Sequence, residues 1–356
     1  MNPSFPGPRV LVCGWAGAGN VGDELLTRAV VGRLHAAGAR VVVASRDPAR
    51  TEALHPGVEA IPWGARGVRR MGRVDGVCVG PGGILQDSSS LWSLPGHLVM
   101  PWRARRHGAA VASVGVGAEP LRRRSSAHLL RKVLAGAPIV TRDAESTAAL
   151  AAAGLDSTVG VDLVFGLATP PVERRSEIVV SVGPAVRPGR VAPAARRLEP
   201  PPLDAIARGL DALAGRLRCR IVLTRFRGDR DHESARSIAA RLRGDTDLLS
   251  DDVDEHLHRI AGARLVVSSR YHPIVLAAIS QTPTFVVSAQ AKVRALVEQI
   301  DDPSVLRIPS WERLGTATIP PAPSAAPVPK GLDLAHDALR ELVRRADATR
   351  GDDRRG

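Results

Sequence analysis

Short runs of Val, Ile, Leu and Ala recur along the chain without polar alternation. Between them lie longer stretches whose apolar residues are spaced three and four apart. The first pattern marks strands buried on both faces, as in a parallel sheet, and the second marks the helices that cover them. In the first half, strands are predicted at 9–13, 40–44, 76–79, 110–114 and 138–140, and helices at 23–37, 48–54, 95–107, 125–134 and 144–153. A pause at "ATPPVERRSE", with paired prolines and charges, reads as a linker. The alternation then resumes with strands at 178–182, 220–224, 265–267 and 284–287, and helices at 203–217, 231–242, 253–261, 273–280 and 292–300.

This order predicts an α/β protein with two Rossmann-like doubly wound domains facing a cleft, similar to the two-lobed GT-B-like glycosyltransferases. The expected division is an N-terminal domain over 1–167 and a C-terminal domain over 168–318. Residues 319–356 read as a Pro/Ala tether, a helix at 332–345 and a disordered tail. The Pro/Arg-rich segment 183–202 lacks an apolar period and reads as a mobile or lid-like loop.

Composition narrows the class. No apolar run approaches the roughly 20 residues that span a bilayer, and the N-terminus lacks a basic stretch followed by an apolar one, so a cytoplasmic location is expected. Cys13, Cys78 and Cys219 each lie in or beside an apolar run and read as small core residues, not a disulfide set or zinc site. The net charge of +13 raises nucleic-acid binding. Against it, lysine is confined to Lys132, Lys292 and Lys330, arginine is spread along the chain, and aromatics are only 3%, which leaves few platforms for stacked bases. An anionic small molecule or anionic carrier is the better expectation.

In open α/β sheets, ligands bind beyond the carboxyl ends of the strands. Four loops there carry candidate chemistry. In "GWAGAGNVGDE", Gly17, Gly19 and Gly22 fit the dinucleotide pattern G-x-G-x-x-G, with Arg46 past the second strand where a ribose 2′-phosphate could sit. However, Asp23 and Glu24 would meet a pyrophosphate with two carboxylates. Two readings stay open: a tight turn with Asp23 capping the helix, or Asn20 and Asp23 presented to a hydroxyl-rich ligand. In "GPGGILQD", Gly82 and Gly83 allow close backbone approach, with Gln86 or Asp87 to bind hydroxyls, or the segment is only a flexible turn. In "IVTRDAES", Arg142 ends a strand, either as an anion-binding fork or in a salt bridge that orders the loop, and Asp143 can cap the next helix. In "SSRYHPIVLAAIS", Arg270 and His272 end a strand, with Pro273 expected at the first helical position. Two residues apart in an extended segment, they would point the same way. Lys292, after the next strand, adds a further cation.

These segments, with "SVGVG", "TRDAESTAALAAAGL", "VGVDLVFGL" and "SSRYHPIVLAAISQTPTFVVSAQAKVRALVEQI", resemble the polysaccharide pyruvyl transferase family over most of residues 9–300. That family carries Arg-x-His, usually with leucine between, before an apolar helix, a proline, a strand and a lysine. Here Tyr271 replaces the leucine, and 183–202 is unusually rich in Arg and Pro. The resemblance implies transfer of pyruvate from phosphoenolpyruvate to a sugar of a cell-surface polysaccharide or its precursor, as a cyclic ketal, with release of phosphate.

The residues fit that chemistry. Phosphoenolpyruvate carries a carboxylate and a phosphate, for which Arg142, Arg270 and Lys292 are the candidate receptors. The enol methylene must be protonated, and His272 is the candidate general acid. Asn20, Gly82, Gly83 and Gln86 would orient the acceptor, with Asp23 as candidate base. No cofactor or metal is expected. The expected partners are phosphoenolpyruvate and a glycan acceptor, lipid- or nucleotide-linked, without nucleic acid. Peripheral contact with a membrane is compatible with such an acceptor. Two rivals remain open: a nucleotide-sugar glycosyltransferase on the same scaffold, and a non-catalytic anion- or nucleic-acid-binding protein.

Overall fold

A computed structural model describes residues 7–183, 203–323, 326 and 329–353, apart from the side chains of 228–230 and 351–353. Nearly all of the Arg/Pro-rich segment 183–202, read above as a loop, lies outside the described residues. The chain forms two compact units, Met1–Gly166 with Pro329–Gly356, and Leu167–Val328.

The first unit contains, in chain order, β1 (Arg9–Ala16), α1 (Val21–Ala36), β2 (Arg40–Ser45), α2 (Pro48–Leu54), β3 (Glu59–Pro62), α3 (Ala65–Val68) and β4 (Gly76–Val79). It continues with β5 (Gly82–Leu85), α4 (Ser93–Arg106), β6 (Ala110–Ala118), α5 (Arg124–Leu134), β7 (Ile139–Thr141), α6 (Ala144–Ala152) and β8 (Thr158–Val159). The strands run parallel in the order β3-β2-β1-β4-β6-β7-β8, with β5 pairing on β6. Val10, Leu11 and Val12 are all essentially inaccessible, so both faces of β1 are covered, which is why this strand shows no polar alternation. Leu11 and Cys13 face a core built with Leu94, Leu98 and Met100 of α4 and Leu130, Val133 and Leu134 of α5. Burial pushes the Cys13 thiol up, and pushes that of Cys78 up to about 12, so both remain protonated packing groups.

The second unit contains β9 (Glu177–Ser181), α7 (Leu203–Leu217), β10 (Arg220–Leu223), α8 (Gly228–Ala239), β11 (Thr246–Leu248), α9 (Val253–Gly262), β12 (Leu265–Ser268), α10 (Tyr271–Ile279), β13 (Thr284–Val286), α11 (Ala291–Ile300) and β14 (Val305–Arg307). Its parallel sheet has the order β11-β10-β9-β12-β13-β14. Ile178 and Val180 of β9, Leu265 and Val267 of β12 and Phe285 of β13 pack against Ile206, Leu210 and Leu213 of α7.

The last helix, α12 (Leu332–Asp353), is longer than the predicted 332–345 and is no tethered appendage. It belongs to the first unit, where Leu332, Ala335, Leu339, Leu342 and Ala346 form a buried stripe at helical spacing. Gly76 permits its close approach, since a Cβ there would lie 3.0 Å from the Ala346 side chain and 3.5 Å from Leu342. The expected disordered tail is therefore helical as far as Asp353, and 354–356 lie outside the described residues. Among the described residues no helix is long and apolar enough to cross a membrane.

Both sheets reverse strand order beside their first strand, between β1 and β4 and between β9 and β12. Such a switch point splays the following loops apart and leaves room for a ligand at the strand ends. Asn20, Asp23, Gly82 and Gly83 follow β1 and β4, and Arg270 and His272 follow β12, at these switch points, whereas Arg142 and Lys292 follow β7 and β13 further along the sheets.

Candidate active site

In the first unit, β1 leads through Gly17 and Gly19, both with positive φ, into α1. Gly17 is confined as well as left-handed, because a Cβ there would lie 2.2 Å from Ser45 Oγ. The helix cap is Asn20, not Asp23: Asn20 Oδ1 accepts the Gly22 N–H at 3.1 Å. Asn20 Nδ2 donates to Asp23 Oδ2 at 2.5 Å, so amide and carboxylate are held as one group. Glu24, expected beside Asp23 at the helix mouth, instead turns inward and is 1% exposed. Its carboxylate accepts the Gly17 N–H at 2.8 Å and contacts Nε2 of the buried His55 at 3.2 Å. The electrostatic objection to an anion at this turn therefore loses one of its two charges.

"GPGGILQD" is not simply a loop. Gly82–Leu85 forms β5, with Gly82 opposite Val116 of β6. Gly82 has φ +103°, and a Cβ there would lie 3.3 Å from Asp23 Oδ1. Beyond it, a Cβ on Gly83 would lie 3.7 Å from an Arg142 guanidinium nitrogen. Gly117 lies under the same guanidinium, where a Cβ would come within 2.7 Å of Cζ. The two glycines thus sit with the Asp23 carboxylate against one and the Arg142 guanidinium against the other. This brings Asn20, Asp23, Gly82, Gly83 and Arg142 together.

Gln86 does not join this group as expected. Its Oε1 accepts from the N–H groups of Ser88 and Ser89 and the Ser88 hydroxyl, while Nε2 donates to Ser89 Oγ, so it knots its own loop. Asp87 is also structural. Burial pushes its carboxyl up, but the N–H of Arg122, the Ser126 hydroxyl, and the N–H and guanidinium of Arg123 outweigh that and hold it below the usual range. Arg142 is not a bare cation, because its Nε donates to Asp143 Oδ2 at 3.0 Å. The other Asp143 oxygen caps α6 through the Ser146 N–H at 2.7 Å.

In the second unit, the expected extended Arg-x-His is replaced by a helix start. Arg270 is the N-cap residue of α10, and Tyr271 already has helical geometry, so alternation no longer makes Arg270 and His272 parallel. Pro273 occupies the third helical position, still within the turn whose N–H groups lack intrahelical acceptors. Arg270 is paired with Asp231 of α8, whose carboxylate is 1% exposed. Burial raises the Asp231 carboxyl pKa against the opposing pull of Arg270, and burial lowers that of Arg270. The pair leaves one donor over: Arg270 Nε is buried without a hydrogen-bond partner among the described residues. It faces the backbone at Gly183, where a Cβ would lie 3.3 Å away. Ser181 Oγ, at the end of β9, is likewise buried without a partner there.

His272 occupies the second position of α10, half-buried, with its ring edge-on to Tyr271 at 5.4 Å. Lys292 holds the same position in α11 and is exposed. Neither helix has an acidic residue in its first turn or a side-chain cap, so both N-termini present the positive end of the helix dipole without a local counter-charge. The site of the second unit is therefore two open helix mouths, each with a cationic-capable residue, beside a buried guanidinium edge.

The sequence did not single out Asp231, the Glu24–His55 pair or an aromatic cluster in the first unit. In that cluster the Arg46 guanidinium lies 4.0 Å from the Trp15 ring centroid and 4.4 Å from that of Trp63. Trp63 Nε1 donates to His97 Nδ1 at 3.4 Å. The one available signal was that Trp15, Arg46 and Trp63 each end or follow a predicted or short strand. Among the described residues, no group of three or more His, Cys, Asp or Glu side chains is placed to hold a metal ion.

Each unit is a Rossmann-like parallel α/β unit whose candidate residues lie at strand ends. In fold the chain is similar to UDP-GlcNAc 2-epimerase from Methanocaldococcus jannaschii, with TM-score 0.56, 11% identity and coverage of 94% of this chain and 99% of that one. It is also similar to the Neisseria meningitidis UDP-GlcNAc 2-epimerase bound to UDP-GlcNAc, with TM-score 0.55, 9% identity and coverage of 95% and 100%. S. aureus MnaA in complex with UDP gives TM-score 0.54, 10% identity and coverage of 93% and 94%. The fold is thus a mixed parallel α/β arrangement with two sheets of parallel strands, similar to UDP-GlcNAc 2-epimerases. No curated protein matches the chain in sequence. The polysaccharide pyruvyl transferase family model matches residues 20–290, from Asn20 to beyond His272 and just short of Lys292. The chain belongs to the polysaccharide pyruvyl transferase family, which makes it a pyruvyl transferase enzyme by class.

Proposed function

We propose that the protein transfers the pyruvyl group of phosphoenolpyruvate to a sugar of a cell-surface polysaccharide or its precursor, forming a cyclic ketal and releasing phosphate. The observation that carries this reading is the open N-terminus of α10, with His272 at its second position and the unsatisfied Arg270 Nε beside it. A carboxylate and a phosphate on three carbons need several donors in a small space. The positive end of the α10 dipole, Arg270 Nε and the charge of Lys292 are the groups proposed to meet them. Arg142 lies with the first unit's group, against Gly83.

In this scheme His272 donates its proton to the enol methylene carbon, which becomes a methyl group, and C2 gains oxocarbenium character. A sugar hydroxyl attacks C2 and loses its proton to a base, for which Asp23 is the candidate. The C2–O bond to phosphate then breaks, the phosphate leaves with that electron pair, and a second hydroxyl attacks C2 to close the ketal, its proton returning to His272. The acceptor side is assigned to the first unit, where Asn20 and Asp23 offer an amide and a carboxylate beside the Gly82–Gly83 backbone. Gln86 shapes that loop and makes no direct acceptor contact in this scheme.

The test is phosphate release from phosphoenolpyruvate with a panel of hexose acceptors, free and carrier-linked, and mass analysis of the product for a gained pyruvyl ketal. Sugar transfer from a nucleotide sugar, with no release from phosphoenolpyruvate, would replace this reading with that of a glycosyltransferase.

A further inference from the structure

Arg46 stands apart from the other strand-end arginines. Arg142 and Arg270 each meet a carboxylate, whereas Arg46 is exposed and no carboxylate of the described residues pairs with it. It is held by aromatic faces instead, 4.0 Å from the Trp15 ring centroid and 4.4 Å from that of Trp63. Trp15 belongs to β1, Arg46 follows β2 directly and Trp63 follows β3 directly, so three adjacent parallel strands deliver the cluster to the carboxyl edge of the sheet. The turn at Gly17 lies against the Arg46 backbone, where a Cβ would be 3.1 Å from Arg46 N. The cluster is therefore contiguous with the loop that carries Asn20 and Asp23.

The two rings stand nearly perpendicular, at 79°, and a guanidinium held over aromatic rings spends no N–H on them, so its donors remain for the oxygens of an anion. The groups around it do not satisfy those donors. The neighbouring Asp47 turns its Oδ1 to the Arg50 N–H at 3.1 Å and caps α2. His97, against both rings, is neutral at physiological pH because burial, and then the charge of Arg46, push it down to about 4.

We propose that Arg46, held against the Trp15 and Trp63 rings, is a receptor for the phosphate of a phosphorylated ligand in the first unit, distinct from the donor site of the second. The ligand class is a phosphate or diphosphate ester, the group that links a sugar to a nucleotide or to a lipid carrier. The inference needs no step of pyruvyl transfer and holds whichever donor the enzyme uses.

The experiment titrates the full chain at 150 mM NaCl with inorganic pyrophosphate, uridine diphosphate and farnesyl diphosphate, read by calorimetry and by tryptophan emission, since Trp15 and Trp63 report on the cluster. Arg46→Gln is expected to weaken pyrophosphate binding at least tenfold, and Arg46→Lys to weaken it less. Arg124→Gln, an exposed charge elsewhere in the unit, should leave binding unchanged. Because Arg46 is exposed, the variants should fold, as an unaltered circular dichroism melt would show. Tighter binding of the uridine or of the farnesyl compound than of pyrophosphate would identify the carrier as nucleotide or lipid, and equal binding would mean that the phosphates alone are read. No binding to the unaltered chain, equal binding by Arg46→Gln, or equal loss in Arg124→Gln would overturn the proposal. Loss of phosphoenolpyruvate binding in Arg46→Gln in step with pyrophosphate would also overturn it, by merging this site with the donor site. Failure of phosphoenolpyruvate turnover alone would leave it standing.

Discussion

The guanidinium of Arg270 is tied to the carboxylate of Asp231, across from β12 to α8, in a pair whose acidic partner is almost wholly shielded from water. Such a pair is costly to break from one side, because the remaining charge stays desolvated. Asp231→Ala is expected to lower unfolding stability by about 2 to 3 kcal/mol in urea titration, the low end because Arg270 keeps some solvent contact. It should also raise the KM for phosphoenolpyruvate more than it lowers kcat, since Arg270 loses its fixed position. A double replacement, Asp231→Ala with Arg270→Leu, should cost less than the two single changes summed. Strict additivity would show that the pair has no energetic coupling.

Two glycines separate site geometry from stability. At Gly117 a Cβ would collide with the end of the Arg142 side chain, which is flexible and can swing away. Gly117→Ala should therefore change stability by less than about 1 kcal/mol while displacing the guanidinium from Gly83 and reducing turnover. At Gly82 the backbone itself is left-handed, and the Cβ would crowd Asp23. Gly82→Ala should cost roughly 1 to 3 kcal/mol and also reduce turnover. Thermal melts beside phosphate-release assays distinguish the two, and an equal stability loss in both would refute the assignment.

Much of the fold was legible because parallel strands covered on both faces are written as apolar runs. The strands missed were those without such runs: "EAIP" of β3, "TV" of β8, "TDL" of β11 and "VLR" of β14, all at sheet edges, and "GGIL" of β5, where glycines read as a turn. The order of loops along the sheet was legible too, which is why Asn20, Gly82 and Arg142 were found separately. Their approach was not, because Asp23 meets Gly82, and Arg142 meets Gly83 and Gly117, through contacts between elements distant in sequence. At Arg270 and His272 the period-two argument failed for a local reason: the helix begins two residues before the proline that was taken as its start. No local pattern could reveal that Asp231, some forty residues earlier, supplies the partner of Arg270.

Acid lability should trace in part to His97. Its folded-state value, about 4, lies below the ordinary 6.5 because the site is buried and Arg46 is near. Between those values the unfolded chain binds more protons, so stability is complete above about pH 6.5 and falls as pH drops toward 4. A shift of this size corresponds to about 3 kcal/mol. Burial lowers His35, His256 and His336 as well, so they add to the same trend. Urea titrations at pH 7.5 and 4.5 should show a smaller difference for His97→Phe than for the unaltered chain. An unchanged difference would place the lability elsewhere.

His272 and Lys292 hold equivalent positions on two open helix mouths, but the proposed chemistry asks different things of them. A proton donor acts on the bond being made, whereas a receptor cation acts mainly on the bound donor. His272→Gln is expected to lower the rate of phosphate release by roughly 10² to 10⁴ with little change in the KM for phosphoenolpyruvate. The half-buried ring touches Tyr271 at the helix surface, so the melt should move little. Lys292→Ala should raise KM severalfold and leave kcat within a factor of a few, since its exposed ammonium contributes through charge. Steady-state assays of both variants test the division of labour. If His272→Gln raised KM alone, the histidine would be another anion contact, and the proton would have to come from a different group.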